Sequence, residues 1–264
     1  MVLTEDTYYG PESAREFMSV SQFKNFQKCE AAALAEINGE YVPERGRALL
    51  LGSYVDEALT GTEESQNTFV EENRAELYKK NGEPYADVAQ ANEAIACVRK
   101  QPLMTKYLDG EHQVIMTGEI EGVPVKGKFD NYAPGKFVSD LKYLKDFRSP
   151  NFFENAISYY GYDMQLAVYR ELVRQNGGGD LPCYLVIVTK QTPPDVAVAE
   201  VNEFDLDTAL LKFKATVGRF HAIKKGEIRP ERCESHDCPY CRATKVLTEP
   251  IDSNLLGRSK KDLE

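Results

Sequence analysis

Residues 123–143 read VPVKGKFDNYAPGKFVSDLKY, and this stretch decides the fold. Apolar and polar residues alternate through 123–132, which is typical of a β-strand with one buried face. Residues 133–136 (APGK) interrupt the alternation with a Pro-Gly turn, and 137–143 resume it. The sequence therefore predicts two neighbouring strands joined by a tight turn.

Two acids and a lysine in this stretch can share one metal site, because Asp130 and Asp140 meet at the mouth of the predicted hairpin. A hard cation such as Mg²⁺ takes oxygen ligands and keeps several waters. The two carboxylates and the Leu141 carbonyl would make an incomplete shell, leaving positions for phosphate and water. Side chains alternate along a strand, so Lys142 points to the same face as Asp140. There it can orient or deprotonate a water, or neutralise developing charge. The alternative is an exposed hairpin with ordinary salt bridges.

Through residues 127–130 (GKFD) and 140–142 (DLK), the chain resembles the PD-(D/E)xK nuclease superfamily. Within it, the chain is similar to the RecB-like and RecE-like phage exonucleases of the exodeoxyribonuclease VIII type. Residues 165–169 (QLAVY) resemble that family's Q-x-x-x-Y motif. Gln165 and Tyr169 are four residues apart, so they share a helix face and can reach DNA or the metal. The alternative is that the tyrosines of this region only pack the core.

Two N-terminal segments extend the resemblance. Residues 19–29 (SVSQFKNFQKC) are similar to the opening helix of RecB-like nucleases, where a serine caps a helix that ends near a cysteine. Residues 49–59 (LLLGSYVDEAL) resemble the family's G-x-x-x-H helix, which supplies a histidine to the metal. Asp56 stands where that histidine falls. It is either a direct or water-mediated metal ligand or a solvated helix residue.

The resemblance covers most of residues 19–245 and implies an α/β fold with a restriction-endonuclease-like core, a central mixed β-sheet flanked by helices. Patterning predicts helices near 20–38, 47–60, 85–107, 152–176 and 204–225, and strands near 112–120, 123–132, 136–143, 182–190 and 196–203. We expect a single nuclease domain over 1–264. Its helical N-terminal region spans about 19–107, and a cysteine-containing C-terminal segment spans about 226–264.

Residues 233–241 (CESHDCPYC) place three thiols close together, flanked by arginines that favour thiolates. As metal ligands they need a fourth. Several RecB-like nucleases bind a [4Fe-4S] cluster with one early and three late cysteines, and this resemblance implies a ligand set of Cys29, Cys233, Cys238 and Cys241. The alternatives are a zinc site, for which His236 is a competing fourth ligand, and a metal-free group of thiols.

The charge distribution bears on the partner. A net charge of −10 argues at first against nucleic acid, because phosphate binding needs Lys and Arg. Residues 57–95 hold nine acids and three bases, which describes a solvated acidic lobe. Residues 123–149 hold six bases and three acids, and two of those acids are the proposed metal ligands. Another basic stretch, 212–245, could line a DNA strand or be an amphipathic helix.

Composition is that of a chain able to bury a full core, with 264 residues and 42% hydrophobic content. No apolar run approaches the roughly 20 residues of a membrane span, and the N-terminus lacks a signal-peptide pattern. We therefore expect a cytoplasmic protein without a membrane partner. In that reducing compartment, six cysteines do not predict disulfides.

Together these observations predict a Mg²⁺- or Mn²⁺-dependent deoxyribonuclease, an exonuclease of phage or prophage recombination or of DNA end processing. The expected metal ligands are Asp130, Asp140, the Leu141 carbonyl and Asp56. The expected catalytic residues are Asp130, Asp140, Lys142, Gln165 and Tyr169. The resemblance also implies a single-strand annealing protein as partner. The alternative function is a DNA-binding or recombination-partner module without catalysis. His112 and His221 have no nearby chemistry in the sequence and are expected to be structural or exposed.

Overall fold

The computed structural model describes residues 2–44, 46–148, 155–235, 237–247, 250 and 253. The chain divides into two compact units. One consists of Met1–Pro43, Ile120–Pro124 and Ala215–Glu264, and the other of Glu44–Glu119 and Val125–Lys214. The organisation of the whole chain as a single nuclease domain stays a prediction.

The helices in the described part of the chain are α1 (Glu5–Tyr8), α2 (Pro11–Glu16), α3 (Val20–Lys28), α4 (Glu30–Ile37), α5 (Arg47–Thr60), α6 (Glu63–Glu72), α7 (Arg74–Leu77), α8 (Ala86–Arg99), α9 (Pro102–Tyr107), α10 (Ala156–Tyr159), α11 (Tyr162–Gln175), α12 (Glu203–Lys224) and α13 (Pro239–Ala243). The strands are β1 (Glu111–Ile120), β2 (Val123–Ala133), β3 (Phe137–Leu144), β4 (Cys183–Thr189) and β5 (Val196–Val201). No helix among these residues is long and apolar enough to span a bilayer.

The five strands form one sheet in the order β1-β2-β3-β4-β5. The pairs β2–β3 and β4–β5 are antiparallel, whereas β3–β4 is parallel. Parallel neighbours need a crossover connection, and α11 lies in the segment that links β3 to β4. The predicted mixed sheet flanked by helices is therefore confirmed.

In the larger unit, the two faces of the sheet are covered by different helices. Leu141 and Val186 belong to an apolar cluster with residues of α5 and α8. On β4, the Cys183 thiol donates to the Leu166 carbonyl of α11 at 3.8 Å. Because side chains alternate along a strand, Asp140 and Lys142 project from the face opposite Leu141, towards α11. Burial of Leu141 thus determines where its two polar neighbours point.

The smaller unit has its own aromatic core. Phe23 and Phe26 of α3 each pack against Phe220 with ring centroids 5.1 Å apart. The helix begins with a capping box, in which the Ser19 side chain accepts a hydrogen bond from the Gln22 amide. The predicted serine cap at this helix start is confirmed.

Three predicted helices are shorter than expected. The helix predicted at 20–38 is interrupted at Cys29, whose backbone is extended. The helix predicted at 85–107 stops before Pro102, because proline disfavours helical geometry in the preceding residue. The helix predicted at 152–176 is divided at Gly161, which adopts φ +63°. Its first residues, 152–154, lie outside the described part of the chain.

Patterning did not predict the short helices α1, α2, α7 and α13, nor α6. Short helices have too few turns to show a 3.6-residue period, and α6 is a solvated helix with no buried residue. The helix predicted at 47–60 is confirmed at the same bounds.

Candidate active site

The register of the β2–β3 hairpin brings the two predicted acids together. Asn131 pairs with Ser139, and continuing this register by one residue brings Asp130 opposite Asp140. The Leu141 amide donates to Asp130 Oδ2 at 3.1 Å, which orients that carboxyl across the strand pair. Asp140 is only 1% exposed. Asp130 is partly exposed as a residue, but its carboxyl group is enclosed by these neighbours.

Lys142 supplies the positive charge of this group. Its Nζ forms an ion pair with Asp140 Oδ2 and lies 5.2 Å from the centre of the Tyr162 ring. Burial alone would lower the pKa of Lys142, but the negative charges of Asp140 and Asp130 outweigh burial and raise that pKa above its usual range. The ammonium is therefore protonated at neutral pH. In this state it neutralises charge and does not accept a proton.

The carboxyls are under electrostatic strain. Burial, followed by the negative charges of Asp140 and Asp56, raises the pKa of Asp130 well above its usual range. Burial and the charge of Asp140 also raise the pKa of Asp56. One ammonium thus faces three carboxyls that repel one another. Carboxylate oxygens in this arrangement fit a hard divalent cation, whose charge would offset the repulsion.

Asp56 extends from the C-terminal half of α5 and is half-buried. Its Oδ1 accepts a hydrogen bond from the Thr60 hydroxyl at 3.0 Å, and its Oδ2 accepts one from Gln113 Nε2 at 3.4 Å. The structure therefore places Asp56 beside the acidic pair, close enough for the charge of Asp140 to raise its pKa.

The two residues of the Q-x-x-x-Y pattern lie on one face of α11. Gln165 Nε2 donates to Asp140 Oδ1 at 2.8 Å and lies 3.2 Å from the Tyr169 hydroxyl. Tyr169 donates to the Lys128 carbonyl at 2.7 Å, and its ring stacks on Phe129 at 4.2 Å. Gln165 thus directly contacts an acid of the proposed metal site. Tyr169 is buried, so it packs the core and also anchors the backbone of β2.

Sequence reasoning missed two neighbours of this group. Tyr162 was grouped with the aromatic residues of its helix, yet its ring approaches Lys142. Gln113 has φ +56°, and no local pattern signals its contact with Asp56. His112 is exposed, as expected, and its Nδ1 lies 3.0 Å from the Asp130 carbonyl oxygen because β1 pairs with β2.

The smaller unit holds a separate candidate metal centre. The Sγ atoms of Cys29, Cys233, Cys238 and Cys241 all lie within 4.8 Å of one another. Cys29 Sγ and Cys233 Sγ are each 3.7 Å from Cys241 Sγ. Four converging thiols fit zinc or an iron–sulfur cluster. His236, the competing zinc ligand, lies outside the described residues.

Burial and local hydrogen bonding raise the pKa values of the Cys238 and Cys241 thiols but lower that of Cys233. Burial raises the pKa of Cys233, but hydrogen bonds from Cys238, Cys241 and Ser235 outweigh it and lower that pKa to about 7. Cys238 is the N-cap of α13, and its Sγ accepts a hydrogen bond from the Cys241 amide at 3.4 Å. Metals bind the thiolate, so the lowered pKa favours coordination at Cys233.

Comparison with known proteins agrees with this geometry. Residues 19–244 match a family described as a PDDEXK-like domain of unknown function (DUF3799). The chain belongs to this family. A crystal structure from Eubacterium rectale, described as a "putative exonuclease", superposes with a TM-score of 0.90 at 38% sequence identity. The match covers 97% of this chain and 99% of the Eubacterium rectale chain. None of the curated proteins matches the chain.

The PDDEXK-like family and its Eubacterium rectale structure together support a nuclease. A nuclease-like fold implies the use of a divalent metal and suggests DNA as substrate. Asp130, Asp140 and Lys142, converging at the β2–β3 hairpin, have the charge and chemistry that such a reaction needs.

Proposed function

We propose that this PDDEXK-like protein is a Mg²⁺- or Mn²⁺-dependent deoxyribonuclease that hydrolyses phosphodiester bonds as an exonuclease at DNA ends. The observation that carries the proposal is the buried group of Asp130, Asp140 and Lys142, held by Gln165. Two repelling carboxyls beside one ammonium are costly to bury without a function. A bound cation and a phosphate group would use these charges.

The metal would be held by the Asp130 and Asp140 carboxylates and the Leu141 carbonyl. Asp56 would bind it directly or through a water molecule. When bound, the ion polarises the phosphate and lowers the pKa of a water molecule. The chain's own residues set the geometry around it. The Leu141 amide fixes Asp130, and Gln165 fixes one oxygen of Asp140.

Lys142 would stabilise negative charge that builds on the phosphate as the bond breaks. The ion pair of its ammonium with Asp140 supports this role, because it places the positive charge beside an acid that would hold the metal. Gln165 would position Asp140. Tyr169 would act through the β2 backbone and Gln165, since its ring is buried against Phe129.

Purified Asp140→Ala and Lys142→Ala variants test this proposal on linear DNA with Mg²⁺ or Mn²⁺. We expect the hydrolysis rate of each variant to be at least about 100-fold lower than that of the wild type. This is the usual effect of removing a group that stabilises charge in the transition state. Circular dichroism should show the fold retained. Exposed matched residues provide controls, and Asp109→Ala and Lys80→Ala should keep the wild-type rate.

Two outcomes would contradict the proposal. Wild-type rates in both active-site variants would remove the mechanism. Binding of DNA without cleavage in Mg²⁺, Mn²⁺ and EDTA alike would leave the alternative, a binding or recombination-partner module with a nuclease-like fold.

For the four cysteines, the proposed cofactor is a [4Fe-4S] cluster, with Zn²⁺ as the alternative. The convergence of Cys29 with the three late cysteines supports a site with four thiol ligands. The proposed setting is phage or prophage recombination in the cytoplasm, with a single-strand annealing protein as partner. It rests on the resemblance to RecE-like enzymes alone.

A further inference from the structure

A cavity of about 340 Å³ adjoins the candidate active site in the larger unit. It is formed by the end of β3, the residues that follow it, and the start of α11. Its lining residues are Tyr143, Leu144, Lys145, Asp146, Arg148, Tyr160 and Tyr162. Tyr162 also lies against Lys142, with Nζ 5.2 Å from the ring centre. The cavity and the acidic pair are therefore connected through Lys142 and Tyr162.

The cavity presents aromatic faces. The rings of Tyr160 and Tyr162 lie 5.7 Å apart at their centroids, with planes tilted by 31°. Tyr160 is 41% exposed, so its ring is accessible from solvent. Stacking on such rings accepts any base, because every base has a π-face.

The described residues that line this cavity carry a net positive charge. Lys145 and Arg148 are cations, and Asp146 offsets one of them. Asp146 Oδ2 lies 3.1 Å from the Arg148 guanidinium, and Asp146 Oδ1 accepts a hydrogen bond from the Arg148 amide at 2.8 Å. One positive charge is left over. An aromatic face beside a cation is the combination with which proteins hold single-stranded nucleic acid.

We propose that this cavity binds one unpaired nucleotide of the DNA strand under attack, with its base stacked on Tyr160 and its phosphate near Lys145 and Arg148. The inference rests on the proposed nuclease function and specifies its substrate. The nucleotide would be next to the phosphodiester held at Asp130 and Asp140. A base in a duplex is stacked on both faces and paired with the opposite strand, so it cannot enter the cavity. The enzyme would therefore act on DNA that is single-stranded or frayed at this position.

Steady-state hydrolysis of a single-stranded oligonucleotide tests the base-binding role. We expect Tyr160→Ala to raise KM at least about fivefold, more than it lowers kcat, given the usual cost of removing a stacking ring. Tyr160→Phe keeps the ring and should restore KM. The matched control is Tyr85→Ala, because Tyr85 is 39% exposed in the same unit but does not line the cavity. An unchanged KM in Tyr160→Ala would overturn the subsite.

Oligonucleotides with one abasic site at successive positions then locate the stacked base. In the wild-type enzyme, one position should raise KM at least about fivefold, and Tyr160→Ala should be insensitive to that same position. Equal sensitivity of both proteins at every position would contradict the stacking. Lys145→Gln should reduce the slope of log affinity against log salt by about one, as expected for a lost phosphate contact.

Binding in EDTA separates failure of the subsite from failure of the nuclease proposal. The probe is a single-stranded oligonucleotide containing 2-aminopurine, whose fluorescence falls on stacking. If wild-type protein hydrolyses DNA but binds this probe no better than Tyr160→Ala, the subsite is wrong and the nuclease function stands. If no metal supports hydrolysis, the nuclease function fails. In that case, the dissociation constants of wild type and Tyr160→Ala for the probe still test the subsite. A difference of at least about fivefold would support base binding in the cavity, and equal values would contradict it.

Discussion

Asp140 is held from two sides, by the Lys142 ammonium on one oxygen and the Gln165 amide on the other. Removing either partner leaves a buried carboxylate oxygen with less compensation. The Q-x-x-x-Y spacing predicted that Gln165 and Tyr169 share a helix face, and the structure shows both hydrogen-bonded in one network. The partner of Gln165 is an acid of the proposed metal site.

Gln165→Ala is therefore expected to lower nuclease activity by about 10- to 100-fold, the usual cost of losing a residue that orients a metal ligand. The matched control is Gln175→Ala on the same helix. Gln175 bonds to Glu119 and Glu171 instead, so its loss should affect stability and not kcat. Initial rates under saturating Mg²⁺ measure the difference. Equal rates for wild type and Gln165→Ala would remove the positioning role.

Contact between β2 and α11 sets the position of the site. A Cβ added at Gly127 would lie 2.9 Å from Tyr169 Cε1 and 3.1 Å from Leu172 Cδ1. Only the absence of a side chain at Gly127 lets the helix approach the strand this closely. That approach holds Tyr169 over Phe129 and brings Gln165 within reach of Asp140.

Gly127→Ala should destabilise the protein by about 1–3 kcal/mol, the usual cost of overpacking, and should reduce activity by displacing Tyr169. Urea unfolding and initial rates measure the two effects. Gly218→Ala is the control, because a Cβ there meets nothing within 4 Å and the residue lies inside α12. It should stabilise by about 0.5–1 kcal/mol. Equal stability of both variants would contradict the packing argument.

In the smaller unit, an ion pair joins α4 to α12. Glu30 accepts hydrogen bonds from Arg219 at 2.7 and 2.9 Å, and from the Glu231 amide at 2.8 Å. Burial alone would raise the pKa of Glu30. The bonds and charge of Arg219, with the amide of Glu231, outweigh burial and hold that pKa below its usual value.

Arg219→Ala should lower the free energy of unfolding at pH 7 by a small amount, because the Arg219 side chain is 38% exposed and water screens its ion pair with Glu30. A lowered carboxyl pKa contributes stability above the usual pKa of glutamate and loses it as pH falls through the folded-state value. The difference between variant and wild type should therefore shrink below about pH 4. Urea titrations at several pH values measure it, and a constant difference down to pH 3 would contradict the role of Glu30.

At the scale of the whole molecule, the four-cysteine centre links distant parts of the chain. Cys29 and Cys241 are 212 residues apart in sequence, yet their sulfurs are 3.7 Å apart. A metal bound by both would close a long loop, which constrains the unfolded chain strongly. The break between α3 and α4 at Cys29 frees this residue to face the late cysteines.

Protein purified without oxygen should be brown and contain iron and acid-labile sulfide, about four of each per chain, as a [4Fe-4S] cluster requires. Cys29→Ser should lose both and lower the melting temperature. Cys97→Ser is the control, because Cys97 is half-buried in α8 and outside the cysteine group. A colourless anaerobic preparation with one zinc per chain would establish the alternative.

Three features followed from the sequence by itself. They are the two strands and the turn of residues 123–143, the bounds of the helix at 47–60, and the orientation of Lys142 beside Asp140. Each depends on local backbone periodicity, which a short window of residues contains. The resemblance to known nucleases added Gln165 and Cys29, whose roles no local pattern specifies. Divided helices were harder to predict, since a break such as the one at Gly161 leaves the apolar period almost unchanged.

Only the tertiary structure decided which distant side chains meet and what charge they carry. Gln165 reaches Asp140, Gln113 reaches Asp56, and the Tyr162 ring lies against Lys142 because helices and strands far apart in sequence pack together. Burial in that packing raises the pKa values of Asp130 and Asp56, and the negative charges of Asp140 and Asp130 keep the Lys142 ammonium protonated. Desolvation and long-range contact depend on the positions of atoms in space, and local sequence periodicity does not contain those positions.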